Sequence, residues 1–424
     1  MKKLLIASLA LASLPVWAAD PSFDPALVQK GEYLARAGDC VACHTAKGGK
    51  PFAGGLPMAT PIGTIYTTNI TPDKTGIGEY SYEDFDQAVR HGIGKSGSSL
   101  YPAMPYPSYA RVSDEDMQAL YAYFMKGVQP VAQENKDVDI PWPLSMRWPL
   151  AIWRGMFAPK VVPFKAPGTD QALNRGAYLV EGLGHCGACH TPRAITMQEK
   201  ALNPADGKDF LAGSAPLDGW IAKSLRGDQR DGLGSWSEAD LAAFLKTGRS
   251  NHTAVFGGMS DVVEHSMQYM SDADLGAIAH YLKSLPPANP DDKPQVYDKT
   301  VADALWKGDD SKAGASVYID NCAACHRTDG KGYTRVFPAL AGNPVLQSAD
   351  PTSLIHIVLK GGTLVATKTA PSNFTMPAYA WRLSDQEVAD VVNFVRTSWG
   401  NQGSHVSASD VKTLRAEDVK TASK

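Results

Sequence analysis

The sequence predicts an all-α chain of three tandem helical domains, and three observations carry that prediction. A capped amphipathic helix closes each third of the chain, a Cys-x-x-Cys-His motif opens each third, and no run alternates polar with apolar residues well enough to specify a large sheet. The caps are Ser113-x-x-Asp116, Ser271-x-x-Asp274 and Ser384-x-x-Glu387, all with capping-box spacing. Behind them apolar residues recur at i, i+3, i+4 and i+7. They are Met117, Leu120, Tyr121 and Phe124, then Leu275, Ile278, Ala279 and Leu282, then Val388, Val391, Val392 and Val395. That is one buried helical stripe, three times, at one offset from its cap.

The other elements follow in order. A short opening helix precedes each motif, through Gly31-Glu32-Tyr33-Leu34, Gly176-Ala177-Tyr178-Leu179 and Gly314-Ala315-Ser316-Val317-Tyr318. The glycine in each either admits the closing helix at short range or simply marks a helix start. A middle helix is predicted near 82–90, 238–246 and 352–360. The domains run 19–130, 170–286 and 310–400, with linkers at 131–169 and 287–309 and a polar C-terminal tail at 401–424. The first linker is rich in Pro and Trp. Its stretch from Pro141 to Phe157 carries three Trp, one Phe and two Arg, which fits an interfacial membrane or partner contact, or packing across the first two domains.

The chemistry lies in Cys40-Val-Ala-Cys43-His44, Cys186-Gly-Ala-Cys189-His190 and Cys322-Ala-Ala-Cys325-His326, which begin 146 and 136 residues apart. C-x-x-C-H is the attachment site of a c-type haem. The two thiols form thioethers to the porphyrin, and the adjacent His is placed under the iron. All six Cys of the chain fall in the three motifs, so three covalently bound haems c are expected, one enclosed by each domain. Zinc is the rival reading, but it takes four N or S ligands per site, and the other His residues are not spaced to supply them.

The N-terminus predicts a signal peptide over 1–18. Lys2-Lys3 is its positive region, Leu4 to Val16 its apolar region, and Val16-Trp17-Ala18 its cleavage site; an uncleaved anchor is the alternative. About 405 residues remain, the length of about three domains. Export to a bacterial periplasm is expected, with no structural disulfide. Lys and Arg number 41 against 44 Asp and Glu, and this balance gives no sign of nucleic-acid binding.

A low-spin transfer haem commonly takes a methionine thioether opposite its His. Met104, in Pro102-Ala-Met-Pro105, and Met376, in Phe374-Thr-Met-Pro377, lie nine and eight residues before their caps. For the second domain Met259, after Gly257-Gly258, is preferred over Met267 and Met270. Met117, Met125, Met146 and Met156 read as core filler. His91, His185, His252, His265, His280, His356 and His405 share no repeating offset. Bis-His ligation through His91, His252 or His356 is the alternative at one site. The Pro338 carbonyl is placed to accept from His326 Nδ1. Arg90, Arg249 and Lys360 stand at or just after the end of each middle helix, facing propionates or solvent.

The chain resembles the triple-haem cytochrome c subunit of membrane-bound bacterial dehydrogenases of the alcohol, gluconate, sorbitol, fructose and aldehyde dehydrogenase type. The resemblance covers the whole mature chain. It is carried by Gly31-Glu-Tyr-Leu-Ala35, by Gly63-Thr-Ile-Tyr-Thr-Thr-Asn-Ile-Thr-Pro-Asp73, by Gly257-Gly-Met-Ser-Asp-Val-Val263 and by Asp274-Leu-Gly-Ala-Ile-Ala-His-Tyr-Leu282. It implies three cytochrome c-like domains with Met104, Met259 and Met376 as axial ligands. It also implies electron passage from a catalytic subunit to membrane ubiquinone. That subunit would be a flavin-dependent gluconate 2-dehydrogenase or a quinoprotein alcohol dehydrogenase. No catalytic residue is expected in this chain, and the substrate site would lie on the partner. Because 401–424 offers no hydrophobic anchor, attachment to the outer face of the cytoplasmic membrane would be peripheral. Two other classes fit the motifs: a multihaem enzyme such as a peroxidase, and a cytochrome feeding a terminal oxidase.

Overall fold

The structure, a computed structural model, describes residues 24–217 and 219–422. The segment expected to be a signal peptide lies outside the described residues.

Three buried clusters organise the chain. The first gathers Leu34, Phe85, Met117, Leu120 and Phe124, the second Leu179, Phe210, Leu241, Leu275 and Leu282, and the third Tyr318, Ile355, Val388, Val392 and Trp399. Each is built from an opening, a middle and a closing helix. The opening helices are Pro25–Ala37, Gln171–Glu181 and Ala315–Asn321. The middle ones are Tyr82–His91, Glu238–Thr247 and Thr352–Lys360. The closing ones are Asp114–Ala122, which runs on into a π-helical turn at Tyr123–Gly127, Asp272–Ser284 and Asp385–Arg396. Every residue of the predicted stripe is buried except Tyr121, which is half-buried.

The glycines explain how opening and closing helices meet. A Cβ on Gly31 would lie 1.9 Å from Ala119 O, one on Gly176 2.0 Å from Ala277 O, and one on Gly314 2.2 Å from Asp390 O. Of the two readings of these glycines, close approach holds in all three domains. Gly314 is also the N-cap of its helix, at φ +81°.

The all-α expectation needs one correction. Two short antiparallel sheets are present, Pro57–Thr60 with Gly63–Tyr66 and Gly362–Thr363 with Thr375–Met376. Both are two-stranded ribbons that shape loops. In the first, Gly63 at φ +142° passes so close to Asp139 O that a Cβ would meet it at 2.2 Å. The predicted linkers are also folded rather than loose. Asn69 donates to Val131 O and Gln133 O, which fastens the chain beyond residue 130 to the first domain. In the second linker Thr300–Trp306 is helical. The polar tail contains a helix, Ala408–Ala422, held by Val411 in the third core and by Arg415 on Asp385 at 2.7 Å.

The first two domains meet as a pseudo-two-fold pair. All three closing helices use their cap serines: Asp116, Asp274 and Glu387 each donate a backbone N–H to the Ser three residues earlier. Only Ser384 and Glu387 complete the reciprocal box. At the other two caps a tyrosine from the opposite domain takes the return role. Ser271 N–H donates to Tyr33 Oη, which donates to Asp274 at 2.5 Å. Ser113 N–H donates to Tyr178 Oη, which donates to Asp116 at 2.7 Å. Tyr33 and Tyr178 occupy the same place, two residues after Gly31 and Gly176, so the interface is self-complementary in the manner of an isologous dimer. The third domain has Ser316 there and joins by a different surface, through Trp220, Phe256 and the Ile221 N–H to Ser353 Oγ bond.

Candidate functional site: three Cys-x-x-Cys-His turns

Each motif folds as a single helical turn, at Cys40–Cys43, Gly187–His190 and Ala323–His326. In all three the His N–H donates to the carbonyl of the first Cys, at 3.0, 2.9 and 2.9 Å for His44, His190 and His326. That i to i+4 bond puts the first Cys and the His on one side of the turn. None of the six cysteines is paired in a disulfide. Burial raises Cys40, Cys186 and Cys322 to about 12.

The three imidazoles are oriented alike. Nδ1 of His44 lies 2.7 Å from Thr68 O, that of His190 2.7 Å from Lys223 O, and that of His326 2.9 Å from Pro338 O. A carbonyl can only accept, so Nδ1 carries the proton and Nε2 keeps its lone pair for a metal. Burial lowers the pKa of all three rings, which favours the neutral form that ligates iron. The sequence singled out Pro338; Thr68 and Lys223 escaped notice, because they lie 24 and 33 residues from their His with no shared flanking pattern.

The second and third motifs open into one cavity of about 510 Å³. Cys186, Cys189 and His190 stand on its wall together with Cys322, Cys325 and His326, among mostly apolar side chains. Met259 and Met376 line it too. So do Met267 and Met270, both core residues, and all three candidate methionines of the second domain therefore reach the same space. Met104 packs, with Cys40, against the first core. His252 and His356 are absent from the cavity wall: His252 stacks on Trp236 at 4.7 Å and His356 lies against Trp220. His185, set aside in the sequence, does line the cavity, with Nδ1 2.8 Å from Leu183 O.

The first motif adjoins the second. The Cys43 thiol is pushed up to about 11 by burial first, then by Asp39, Cys189 and Asp261, which places the second motif's Cys189 among its near neighbours. The second motif therefore neighbours both the first and the third. Arg90 faces neither solvent nor a free anion: it pairs with Asp86 and, at 2.6 Å, with Asp114. Among the described residues the one cluster with metal-ion spacing is Asp261, Glu264 and His265, which includes no motif residue.

These residues fit a covalently bound haem. A large apolar cavity is edged by thiol pairs and by imidazoles with Nε2 available.

The cytochrome c family profile matches residues 28–127 and 311–399. The chain is 65% identical to the gluconate 2-dehydrogenase cytochrome c subunit of Pantoea cypripedii, over 98% of this chain and 95% of that protein. It is 59% identical to the cytochrome c subunit of the quinone alcohol dehydrogenase of Gluconacetobacter polyoxogenes, over 97% and 87%. It is 38% identical to the fructose dehydrogenase cytochrome subunit of Gluconobacter japonicus, over 97% and 87%. The chain belongs to the cytochrome c subunits of bacterial dehydrogenases. As a cytochrome subunit it is built to hold haem c, and the repeated turn, bond and carbonyl describe how each motif is preset for it. No helix among its described residues is long and apolar enough to cross a membrane.

Proposed function

We propose that this cytochrome subunit carries three covalent haems c and passes electrons from a periplasmic dehydrogenase subunit to membrane ubiquinone. The observation that carries the reading is the nearness of the second motif to both others, with the second and third in one cavity. Cys40 and Cys43, Cys186 and Cys189, and Cys322 and Cys325 would hold the rings, with His44, His190 and His326 on one face of the iron. Haem c supplies one-electron chemistry at that iron. Met104, Met259 and Met376 are assigned to the opposite face. Met259 is preferred because it is half-buried at the start of helix Gly258–His265, whereas Met267 and Met270 are embedded in the second core.

The protein's own residues do three things. The carbonyls of Thr68, Lys223 and Pro338 fix each imidazole. The apolar walls exclude water, and the close approach at Gly31, Gly176 and Gly314 locks opening to closing helices so that the motifs hold their spacing. Oxidation of the substrate is assigned to the partner. The 65% relative is a gluconate 2-dehydrogenase subunit, and a sugar-acid dehydrogenase is the partner proposed first, with an alcohol dehydrogenase second.

The name of the second relative includes a quinone, and the Trp-rich segment suits a peripheral membrane contact. Helix Trp148–Phe157 has no buried residue. Arg147 and Arg154 hold it to Ser99, and Trp153 to Thr196 O. Trp148, Ile152 and Met156, a single i, i+4, i+8 stripe, are left 63%, 53% and 64% exposed. Purification of the tagged chain from solubilised membranes, with the companions identified by mass spectrometry, tests the proposal. A stoichiometric dehydrogenase and three haems per chain support it. A lone, wholly soluble protein overturns it and turns attention to peroxide reactivity and oxidase coupling.

A further inference from the structure

Three glycines clear a seat for two aromatic rings where the second domain meets the third. Trp220 and Phe256 belong to the second domain, yet both pack against the third core. Their ring centroids lie 6.4 Å apart with 14° between the planes, an offset-stacked arrangement of the kind aromatic pairs favour. Gly257, at φ +63°, passes so close that a Cβ would lie 2.5 Å from the Trp220 ring. A Cβ on Gly362 of the third domain would lie 2.7 Å from the Phe256 ring. Gly219, at φ +80°, carries the chain into Trp220 past His356 of the third domain, whose Nε2 a Cβ there would meet at 2.7 Å.

The pair stands where it bears on two sites at once. Trp220 comes three residues before Lys223, whose carbonyl accepts from His190 Nδ1. Phe256 comes three residues before Met259, with only Gly257 and Gly258 between them. Gly362, against which Phe256 rests, pairs with Met376 across the small ribbon of the third domain. Gly361, at φ +66°, runs so close to the same strand that a Cβ would lie 2.4 Å from Met376 O. Trp220, Phe256, Met259 and Met376 all line the shared cavity. Close-packed interiors transmit strain rather than absorb it, so a displaced ring would shift the backbone on both sides of the second site and the strand opposite Met376. We propose that Trp220 and Phe256 bolt the second and third domains together so that Met259 and Met376 are held as a pair. The second and third haems then keep or lose their thioether ligands jointly, while the first stands apart. Both aromatics are positioning residues that act through the backbone of the two methionines. This rests on the three-haem reading above and on its assignment of Met259 and Met376.

The test is the near-infrared charge-transfer absorption of ferric thioether-ligated haem, read together with the midpoint potentials on the full chain in its membrane complex. In F256A the haem count stays at three and about two thirds of the absorption is lost. Two of the three potentials fall with it, because the methionine ligand is what raises them. F256L, which keeps an apolar side chain of similar reach, retains more than half of what F256A loses. An intact absorption in F256A, a loss of about a third, a loss of the whole band, or an equal loss in F256A and F256L overturns the proposal. Should F256A fail to accumulate, G362A decides it, since it removes no packing and presses a Cβ on Phe256 from the third domain. Two potentials that move together in G362A support the bolt, and a shift of one alone or of none overturns it. Unmodified Cys186 or Cys322 in wild-type protein refutes the haem reading itself, and is read separately by mass spectrometry.

Discussion

Each motif imidazole owes its free Nε2 to a bond made on its other side. Thr68, Lys223 and Pro338 contribute only a backbone carbonyl, so their side chains carry no signature, and sequence reasoning reached the one acceptor where a Pro drew attention. The thioether side is tested by substitution. Met104→Leu, Met259→Leu and Met376→Leu should each remove about a third of the near-infrared charge-transfer absorption of ferric thioether-ligated haem. Met267→Leu and Met270→Leu should leave it intact, and the reverse result would reassign the second domain's ligand. Glu199 offers a pH test. Its carboxylate lies 2.4 Å from where a Gly187 Cβ would be, inside the second motif. Burial pushes it up to about 7, with Arg193 and Arg111 acting against that. Above that pH its charge favours the ferric form, so one midpoint potential should fall as pH rises through about 7, and E199Q should flatten the profile. The linkage sign follows from the same shift: the fold holds the proton that the unfolded chain releases near 4.5, so stability falls as pH rises from there to about 7. Thermal unfolding of E199Q should lack that slope.

The closing helices show which elements a sequence makes legible. Their caps, stripes and lengths were readable because all the determinants are local. The glycines left two readings open, because the atoms that decide between them belong to another helix. The difference is measurable. Gly176→Ala puts a Cβ 2.0 Å from Ala277 O and should destabilise the protein by about 1–3 kcal/mol, the usual penalty of overpacking. Gly276→Ala, in the closing helix of the same domain, meets nothing within 4 Å and should stabilise by about 0.5–1 kcal/mol. Paired thermal melts of the two variants check the contrast, and equal effects would mean that the helix contact is looser than described. The small sheets were not legible, since Gly362–Thr363 and Thr375–Met376 offer two residues each and no alternation to read.

At the scale of the molecule, the sequence carried a clue to domain pairing that went unused. Tyr33 and Tyr178 share one offset from Gly31 and Gly176, and Ser316 breaks it. Only the structure shows that the tyrosines cross over to cap each other's closing helices. Helix Trp148–Phe157, held to Ser99 and Thr196, then presents the Trp148, Ile152 and Met156 stripe to the outside. Replacing all three by Ser should reduce flotation of the purified subunit with anionic vesicles severalfold without changing its haem count. Unchanged flotation would move the attachment to the partner subunit.

The shared cavity bears on how the protein is made as well as on how it works. Left unfilled, about 510 Å³ of mostly apolar space would forfeit the packing its walls are shaped for, a loss that for core cavities is on the order of several kcal/mol. The whole stability of an ordinary domain is about 5–15 kcal/mol. A chain without its cofactors would therefore lose much of its native state, and proteases would meet it unfolded. Ligation of the cofactors becomes the licence to fold, so survival in the cell is itself an inspection for loading.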